Sequence, residues 1–127
     1  MKIIQNKWIN KFIPFPDFRA VNLFGVLFVR GARPLTKVTL NHESIHSRQF
    51  VELMVLFAVA TVFIRWWLPV FAPFAFYVWY IVEWLIRLLK KGNAYRNISF
   101  EREAYANEKN TEYLKTRRLF TFLNYLK

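Results

Sequence analysis

Two long apolar segments constrain this chain more than any other feature. Residues 53–64 carry no charge, and residues 71–89 are apolar except for Glu83 and Arg87, which are four apart and can pair on one helix face. The second segment approaches the ~20 apolar residues that a bilayer crossing needs; the first is shorter and spans only by including its polar half or by tilting. We therefore expect a membrane helical hairpin over residues 40–90, because a chain of 127 residues has too little other structure to cover both segments.

The distribution of charge agrees with a membrane location. The chain has 19 Lys and Arg against 8 Asp and Glu, and the basic residues are dense on both sides of the hairpin, whereas its turn has only Arg65. By the positive-inside rule, both termini should lie in the cytoplasm. Basic charge with interleaved aromatic residues is also typical of nucleic-acid binding. Because the charge flanks the apolar segments, we expect a lipid membrane as partner and no nucleic acid.

Shorter elements should flank the hairpin. Residues 1–16 place apolar residues at three- and four-residue spacing between lysines, which predicts an amphipathic interfacial helix or an ordinary terminal helix. This segment lacks an apolar h-region and a cleavage site, so we expect it to be retained. Residues 21–31 are rich in branched and aromatic residues and predict a strand, or a hairpin with residues 35–40. A charged helix is predicted from about Phe100 to Lys115, with Asn97 or Ser99 as its cap.

The expected fold class is therefore mainly α. A membrane helical hairpin would follow a short β segment and precede a C-terminal helix. We expect a single membrane-associated domain over residues 1–127, with residues 98–127 forming the last helix and a tail.

Both histidines of the chain lie in the stretch NHESIH. His42 and His46 are four positions apart, so on a helix both rings can face one metal ion. Glu43 is directed to the side, where it can hold and deprotonate a water molecule as a general base. Thr39 or Asn41 could cap this helix.

A catalytic zinc site of this kind needs a third protein ligand. Since the chain has no Cys and no other His, the ligand must be Asp or Glu, and the downstream stretch FEREAYANE offers Glu101 and Glu103. These two residues are separated by roughly 200° around a helix, so only one can face the metal. The other would pair with Arg102, Arg96 or a group behind the ligands.

The two motifs resemble the gluzincin pattern, in which a Glu on a later helix completes an HExxH site. The ligand Glu of that family is commonly followed by Glu or Gln two positions on and Ala three positions on, which favours Glu101 over Glu103. The family often has Asp or Asn four positions after the ligand, where counting from Glu101 gives Tyr105. Counting from Glu103 also places an Ala third, at Ala106, and gives Asn107 at the fourth position.

From about Val21 onward the chain is also similar to a family of small bacterial membrane proteins with NHE-x-I-H-x-x-Q, an aromatic-rich hairpin and YRN-x-x-FEREAY. The resemblance implies a minimal zincin-like metallopeptidase of the bacterial inner (cytoplasmic) membrane, with one Zn²⁺ per chain. Its substrate would be a peptide or a membrane protein, cleaved near the cytoplasmic surface. Residues 25–29 would form the edge strand that holds an extended peptide.

Several alternatives stay open at this point. The chain could instead be a non-catalytic membrane protein, either a small subunit of a larger complex or a scaffold stabilised by metal. A site with N and O ligands also accommodates Mn, Fe or Co. Gln49 could bind near the site or be solvated, and Tyr95 and Tyr105 could stabilise an oxyanion or belong to an interfacial aromatic belt. The sequence leaves the substrate and the oligomeric state undetermined.

Overall fold

The computed structural model describes residues 2–5, 20–31 and 34–127, and helices dominate this part of the chain. The fold is mainly α with a small sheet, as predicted from the sequence. The strands are β1 (Lys2–Gln5), β2 (Ala20–Leu23) and β3 (Val26–Val29). The helices are α1 (Lys37–Val62), α2 (Ala75–Leu88), α3 (Ser99–Asn107) and α4 (Tyr113–Thr116), with 3₁₀ helices at Leu68–Phe74 and Thr121–Tyr125.

The three described strands form one sheet in the order β1-β3-β2. β2 and β3 are antiparallel and are joined by Phe24 and Gly25, whose φ angles are 52° and 75°. Positive φ at both central residues is the requirement of the two-residue type I′ turn, which matches the twist of a hairpin. β1 runs parallel to β3 on its other side. Residues 25–29, expected to form an edge strand, therefore supply the central strand β3 of this sheet. The edge strand that lies next to them in the sequence is β2.

Two sequence expectations fail around this sheet. Residues 2–5 form a strand and not the start of a helix, because their backbone groups pair with the otherwise open edge of β3. The remainder of the expected amphipathic segment lies outside the described residues. Residues 35–40 do not return as a strand, because the Thr36 hydroxyl accepts a 3.1 Å hydrogen bond from the Thr39 backbone N–H and starts α1 at Lys37. Thr36 is thus the cap, in place of Thr39 or Asn41.

Helix α1 and the segment Leu68–Leu88 form the hairpin, with its turn at residues 63–67. Both are long and apolar enough to cross a membrane, by length and composition. Within the most apolar 18-residue stretch of each segment, only 28% and 17%, respectively, is buried inside the protein. Large apolar side chains at the turn are also open, with Phe63 88% and Trp66 84% exposed. The core helix of a soluble protein would bury most of such a surface.

The N-terminus of α3 is held by Glu83 of α2. Glu83 pairs with Arg87 at 3.3 Å, as predicted from their spacing. Its carboxylate also accepts hydrogen bonds from the backbone N–H of Ser99 at 2.8 Å and from the Ser99 hydroxyl at 2.6 Å. Ile98 occupies the cap position and has no polar side chain to offer, so Glu83 supplies the negative charge that a helix N-terminus favours. The expected caps, Asn97 and Ser99, are not used.

The C-terminus of α3 is held by Asn41 of α1. The Asn41 side-chain amide donates to the carbonyl oxygens of Asn107, Glu108 and Asn110 at 3.2, 2.8 and 2.9 Å. Because these carbonyls are satisfied by a side chain, the helix ends at Asn107 and does not continue to Lys115 as expected from the sequence.

A compact aromatic core joins α3 to the base of the hairpin. The rings of Phe76 and Phe100 are stacked with their centroids 4.6 Å apart, and Phe122 contacts Phe100 edge-on at the same distance. Phe100 is completely buried. Burial of one such side chain contributes roughly 1.5–3 kcal/mol, so this cluster fixes the position of α3, and therefore of Glu101 beside it.

Candidate metal centre

Three potential ligands meet where α3 crosses the polar half of α1. The Nε2 atoms of His42 and His46 lie 3.1 Å apart. Each lies 3.4 Å from a carboxylate oxygen of Glu101. A tetrahedral zinc ion with ligand bonds of 2.0–2.2 Å would separate its ligand atoms by about 3.3 Å. The spacing of the three side chains therefore fits a single metal ion, and all three side chains are buried.

The ring of His42 is oriented by Glu108, the residue that follows α3. The Nδ1 atom of His42 lies 2.8 Å from Oε2 of Glu108. A carboxylate accepts a hydrogen bond at this distance, so the Nδ1 atom of His42 carries a hydrogen. Its Nε2 lone pair is then directed at the cluster. Carboxylate–histidine pairs of this kind commonly support metal-binding imidazoles.

The ring of His46 is oriented by Gln49 in the same way. The Gln49 amide nitrogen donates to the Phe100 carbonyl at 3.2 Å and to Glu103 at 3.0 Å. This fixes the amide so that its oxygen faces the Nδ1 atom of His46, at 2.8 Å. An oxygen there accepts the Nδ1 hydrogen, so Nε2 is the nitrogen of His46 that faces the cluster and would bind metal. Gln49 thus contacts the site, one of the two roles considered for it.

Glu101 completes the cluster with a carboxylate that is only half satisfied. Its Oε1 accepts a 2.8 Å hydrogen bond from the Tyr80 hydroxyl, whereas its buried Oε2 has no hydrogen-bond partner among the described residues. Burial alone would raise the pKa of Glu101, but His46, His42 and Tyr80 together hold it well below its ordinary value. The carboxylate is therefore ionised at neutral pH, as a metal ligand must be.

Glu103, the other candidate ligand, faces away from the histidines. It is completely buried and contacts Arg117 through the guanidinium Nε, with a second contact from Nη2 at 3.1 Å. The Tyr113 hydroxyl donates to it at 2.9 Å. Arg117 also contacts Glu52 of α1. Burial would lower the pKa of Arg117, but its hydrogen bonds and charge contacts with Glu103 and Glu52 raise it, so the guanidinium stays charged.

This arrangement separates the roles of the two acids. Glu101 lies with His42 and His46, and Glu103 neutralises a buried arginine behind them. The expected partners of the second acid, Arg102 and Arg96, are engaged elsewhere: Arg102 donates to the Tyr125 carbonyl at 2.9 Å, and Arg96 lies 4.5 Å over the Tyr105 ring.

Glu43 lies beside the ligands and is not one of the three clustered ligands. Its backbone is held by β2, because the Asn22 side-chain amide donates to the Glu43 carbonyl at 2.9 Å and to the Ser47 hydroxyl at 2.8 Å. The Glu43 side chain lines a cavity together with His46 and Glu101. A carboxylate in this place can exchange protons with a group bound between the ligands and the cavity.

The cavity that contains Glu43 lies between β2 and α2 and has a volume of about 490 Å³. We refer to it as the β2–α2 cavity. All four residues of β2, Ala20–Leu23, line it. Alternate side chains of a strand point to opposite faces, so four consecutive lining residues mean that β2 presents its edge to the cavity. Among the described residues, no strand pairs with this edge.

The tyrosines near the site occupy different places. Tyr95 lines the β2–α2 cavity, and burial, together with the charge of Glu101, raises its pKa, so its hydroxyl stays protonated. Tyr105 packs edge-on against the ring of His42, with centroids 4.7 Å apart.

Sequence reasoning did not identify Tyr80 or Glu108. Glu108 follows Glu101 by seven positions, which is two helical turns on the same face, and that spacing could have revealed it.

No known protein family, curated protein or solved structure matches this chain. The gluzincin resemblance therefore remains an expectation drawn from two motifs, and the fold described above is not identified as a zincin fold. The geometry itself establishes that His42, His46 and Glu101 lie close enough together to hold one metal ion.

Proposed function

We propose that this chain is a zinc-dependent membrane metallopeptidase that hydrolyses peptide bonds near the cytoplasmic surface of the bacterial inner membrane. The observation that carries the proposal is the convergence of two imidazole Nε2 atoms and one buried carboxylate oxygen without a hydrogen-bond partner, beside Glu43. A site with three protein ligands leaves one position open, which is the property that distinguishes catalytic from structural zinc sites.

The donor set of two imidazoles and one carboxylate favours zinc among the metals that act in hydrolysis. A bound zinc ion would supply Lewis acidity and make water a stronger nucleophile at neutral pH. His42, His46 and Glu101 would hold it. Glu108 and Gln49 would keep both imidazoles in the tautomer that presents Nε2.

The remaining steps fall to side chains of the β2–α2 cavity. Glu43 takes a proton from the attacking water while the water oxygen forms a bond to the peptide carbonyl carbon. It then returns that proton to the leaving amine as the C–N bond breaks, so no proton is gained or lost. The protonated hydroxyl of Tyr95 is available to donate a hydrogen bond to the oxygen on which negative charge develops. The edge of β2 is available to hold the peptide in an extended conformation by β-addition.

The membrane part of the proposal rests on the exposed hairpin. Large apolar side chains cover its outer surface, for example Val59 at 57% and Leu88 at 53% exposure. His46 precedes the end of α1 at Val62 by sixteen residues, or roughly 24 Å along a helix. A hairpin that crosses a hydrocarbon layer of about 30 Å therefore leaves the metal centre close to one membrane surface. The basic flanks favour the cytoplasmic side for that surface and for both termini.

The direct test measures metal and peptide cleavage on the same preparation. Protein purified in detergent without chelator should contain about one zinc per chain and should cleave members of a peptide library. In Glu43→Gln the shape of the side chain is kept and the base is lost. Cleavage should fall by about 10²- to 10⁴-fold, while metal content is unchanged. Metal without cleavage, and with no difference between the two proteins, would favour the alternative of a metal-stabilised scaffold or subunit.

A further inference from the structure

We infer that the β2–α2 cavity is a subsite for a large apolar side chain of the substrate, which reaches it from the lipid. The inference rests on the proposed peptidase function and adds to it a substrate class: peptide segments with a bulky apolar residue beside the bond that is cleaved. Three observations carry it, namely the chemistry of the cavity wall, the engagement of its polar groups and the position of its opening.

The wall opposite β2 is aromatic and aliphatic. Helix α2 contributes Phe76, Ile81 and Trp84 to it, and α1 contributes Phe50. The acids Glu43 and Glu101 also line the cavity, together with His46. A peptide on the edge of β2 would therefore have its backbone near Glu43 and a side chain directed at this apolar wall. A volume of about 490 Å³ has room for a Leu or Phe side chain together with the adjoining backbone.

Three polar side chains on the wall, those of Tyr77, Tyr80 and Asn22, already make hydrogen bonds within the protein. The Tyr77 hydroxyl accepts a 2.6 Å hydrogen bond from the backbone N–H of Phe24. The Tyr80 hydroxyl donates to Glu101, and the Asn22 amide donates to α1. A polar or charged substrate side chain would thus lose its hydration against a wall that is mostly aromatic and aliphatic, which disfavours it. An apolar side chain gives up no hydrogen bonds to water on entering the cavity, and burial of its surface stabilises the complex.

The opening of the cavity lies on the membrane-facing surface. Ile81 and Trp84 line the cavity and are still 54% and 39% exposed, so they form part of its rim. Both belong to the segment Leu68–Leu88, which is long and apolar enough to cross a membrane. A substrate segment embedded in lipid can therefore reach the rim without crossing water.

The test uses equilibrium binding, so it does not depend on catalysis. Zinc-loaded Glu43→Gln protein in phospholipid nanodiscs is titrated with two fluorescent peptides that differ only at one central residue, Phe or Asn. After subtraction of binding to empty nanodiscs, the Phe peptide should bind about 10- to 100-fold more tightly, the range expected for burial of one large apolar side chain. The matched variants are Ile81→Gln, on the rim, and Leu85→Gln, which is similarly exposed at 51% on α2 but does not line the cavity.

The preference for the Phe peptide should disappear in Ile81→Gln and persist in Leu85→Gln, with equal metal content in both. If Ile81→Gln does not fold, Trp84→Ala serves the same purpose and should reduce the preference. Equal binding of the two peptides, no binding of either, or equal losses in both glutamine variants would overturn the inference. The peptidase proposal is judged separately, by whether wild-type protein cleaves the peptide and Glu43→Gln does not.

Discussion

Nδ1 of His42 lies 2.8 Å from Oε2 of Glu108, although the two residues are separated by 66 positions in the chain. Gluzincins often support a ligand histidine with an acid or amide four positions after the ligand Glu, where this chain has Tyr105. In this chain the acceptor beside His42 is Glu108, three positions beyond Tyr105, and Tyr105 packs edge-on against the same imidazole. The acceptor behind His42 therefore comes from the residue that follows α3.

Glu108→Gln should weaken metal binding without removing a ligand. The amide keeps a hydrogen-bond acceptor but loses the charge that makes the imidazole more basic, so zinc affinity should fall by about 10- to 100-fold. Competition with a chromophoric chelator measures this. Glu112→Gln is the matched control, because the Glu112 side chain is 65% exposed and pairs with the exposed Lys115. Equal affinities of the two variants would remove Glu108 from the metal centre.

Glu101 and Glu103 should differ in their effect on metal content. Glu101→Gln removes the charge of the proposed third ligand and should abolish stoichiometric zinc. Glu103→Gln should retain about one zinc per chain, because Glu103 contacts Arg117 and Gln49 and not the cluster. Elemental analysis of both variants decides the matter. Zinc in Glu101→Gln together with its absence in Glu103→Gln would transfer the ligand role to Glu103.

His42→Ala and His46→Ala should each lose stoichiometric zinc as well. Two protein ligands do not complete a site of this kind, and no other His or Cys exists in the chain to replace the missing one. Circular dichroism in detergent should show unchanged helix content, since the imidazoles contribute little to the aromatic core. Retention of zinc at full affinity in either variant would contradict the proposed ligand set.

The hairpin should have its turn on the side of the membrane opposite to both termini. The chain has no native Cys, so single cysteines can be introduced directly. A cysteine at Arg65 should react with a membrane-impermeant maleimide from the periplasmic side, and one at Lys91 only after the cells are opened. Labelling of both positions from the same side would rule out a crossing hairpin.

Arg117 should be needed for stability because it is buried between two carboxylates. Arg117→Leu would leave Glu52 and Glu103 buried without a counter-charge, and removal of one partner of such a pair typically costs about 3–5 kcal/mol. Thermal denaturation in detergent should show a large fall in Tm. The triple variant with Glu52→Gln and Glu103→Gln removes the unpaired charges and should recover much of it. A Tm equal to that of the wild-type protein would mean that water reaches this network.

Much of the metal centre follows from sequence because helical spacing is a local property. The i, i+4 spacing of His42 and His46 is sufficient to place both rings on one face, and the two-residue spacing of Glu101 and Glu103 shows that only one can join them. The choice between the acids depends on Arg117, which is fourteen residues beyond Glu103 and meets it only through the fold of the C-terminal tail. Sequence spacing carries no information about that contact.

The errors in the secondary structure have a similar origin. Residues 2–5 pair with β3 across an interval of more than twenty residues, and helical periodicity in so short a segment could not reveal this partner. Helix α3 ends early because Asn41 satisfies its carbonyls from another helix. The tight turn at Phe24 and Gly25 was missed because Phe rarely adopts positive φ, and its conformation here is supported by contacts of its ring with Phe50 and Tyr77.

The two-ended attachment of α3, by Glu83 at its start and Asn41 at its end, makes the metal centre inseparable from the hairpin. A helix of nine residues is too short to be stable in isolation. The FEREAY stretch can therefore present Glu101 only while both hairpin helices hold it. Grafting the two motifs onto an unrelated scaffold would transfer the residues of the site without its geometry. Because none of these attachments involves His42, His46 or Glu101, metal uptake should proceed into a rigid receptor rather than by folding around the ion.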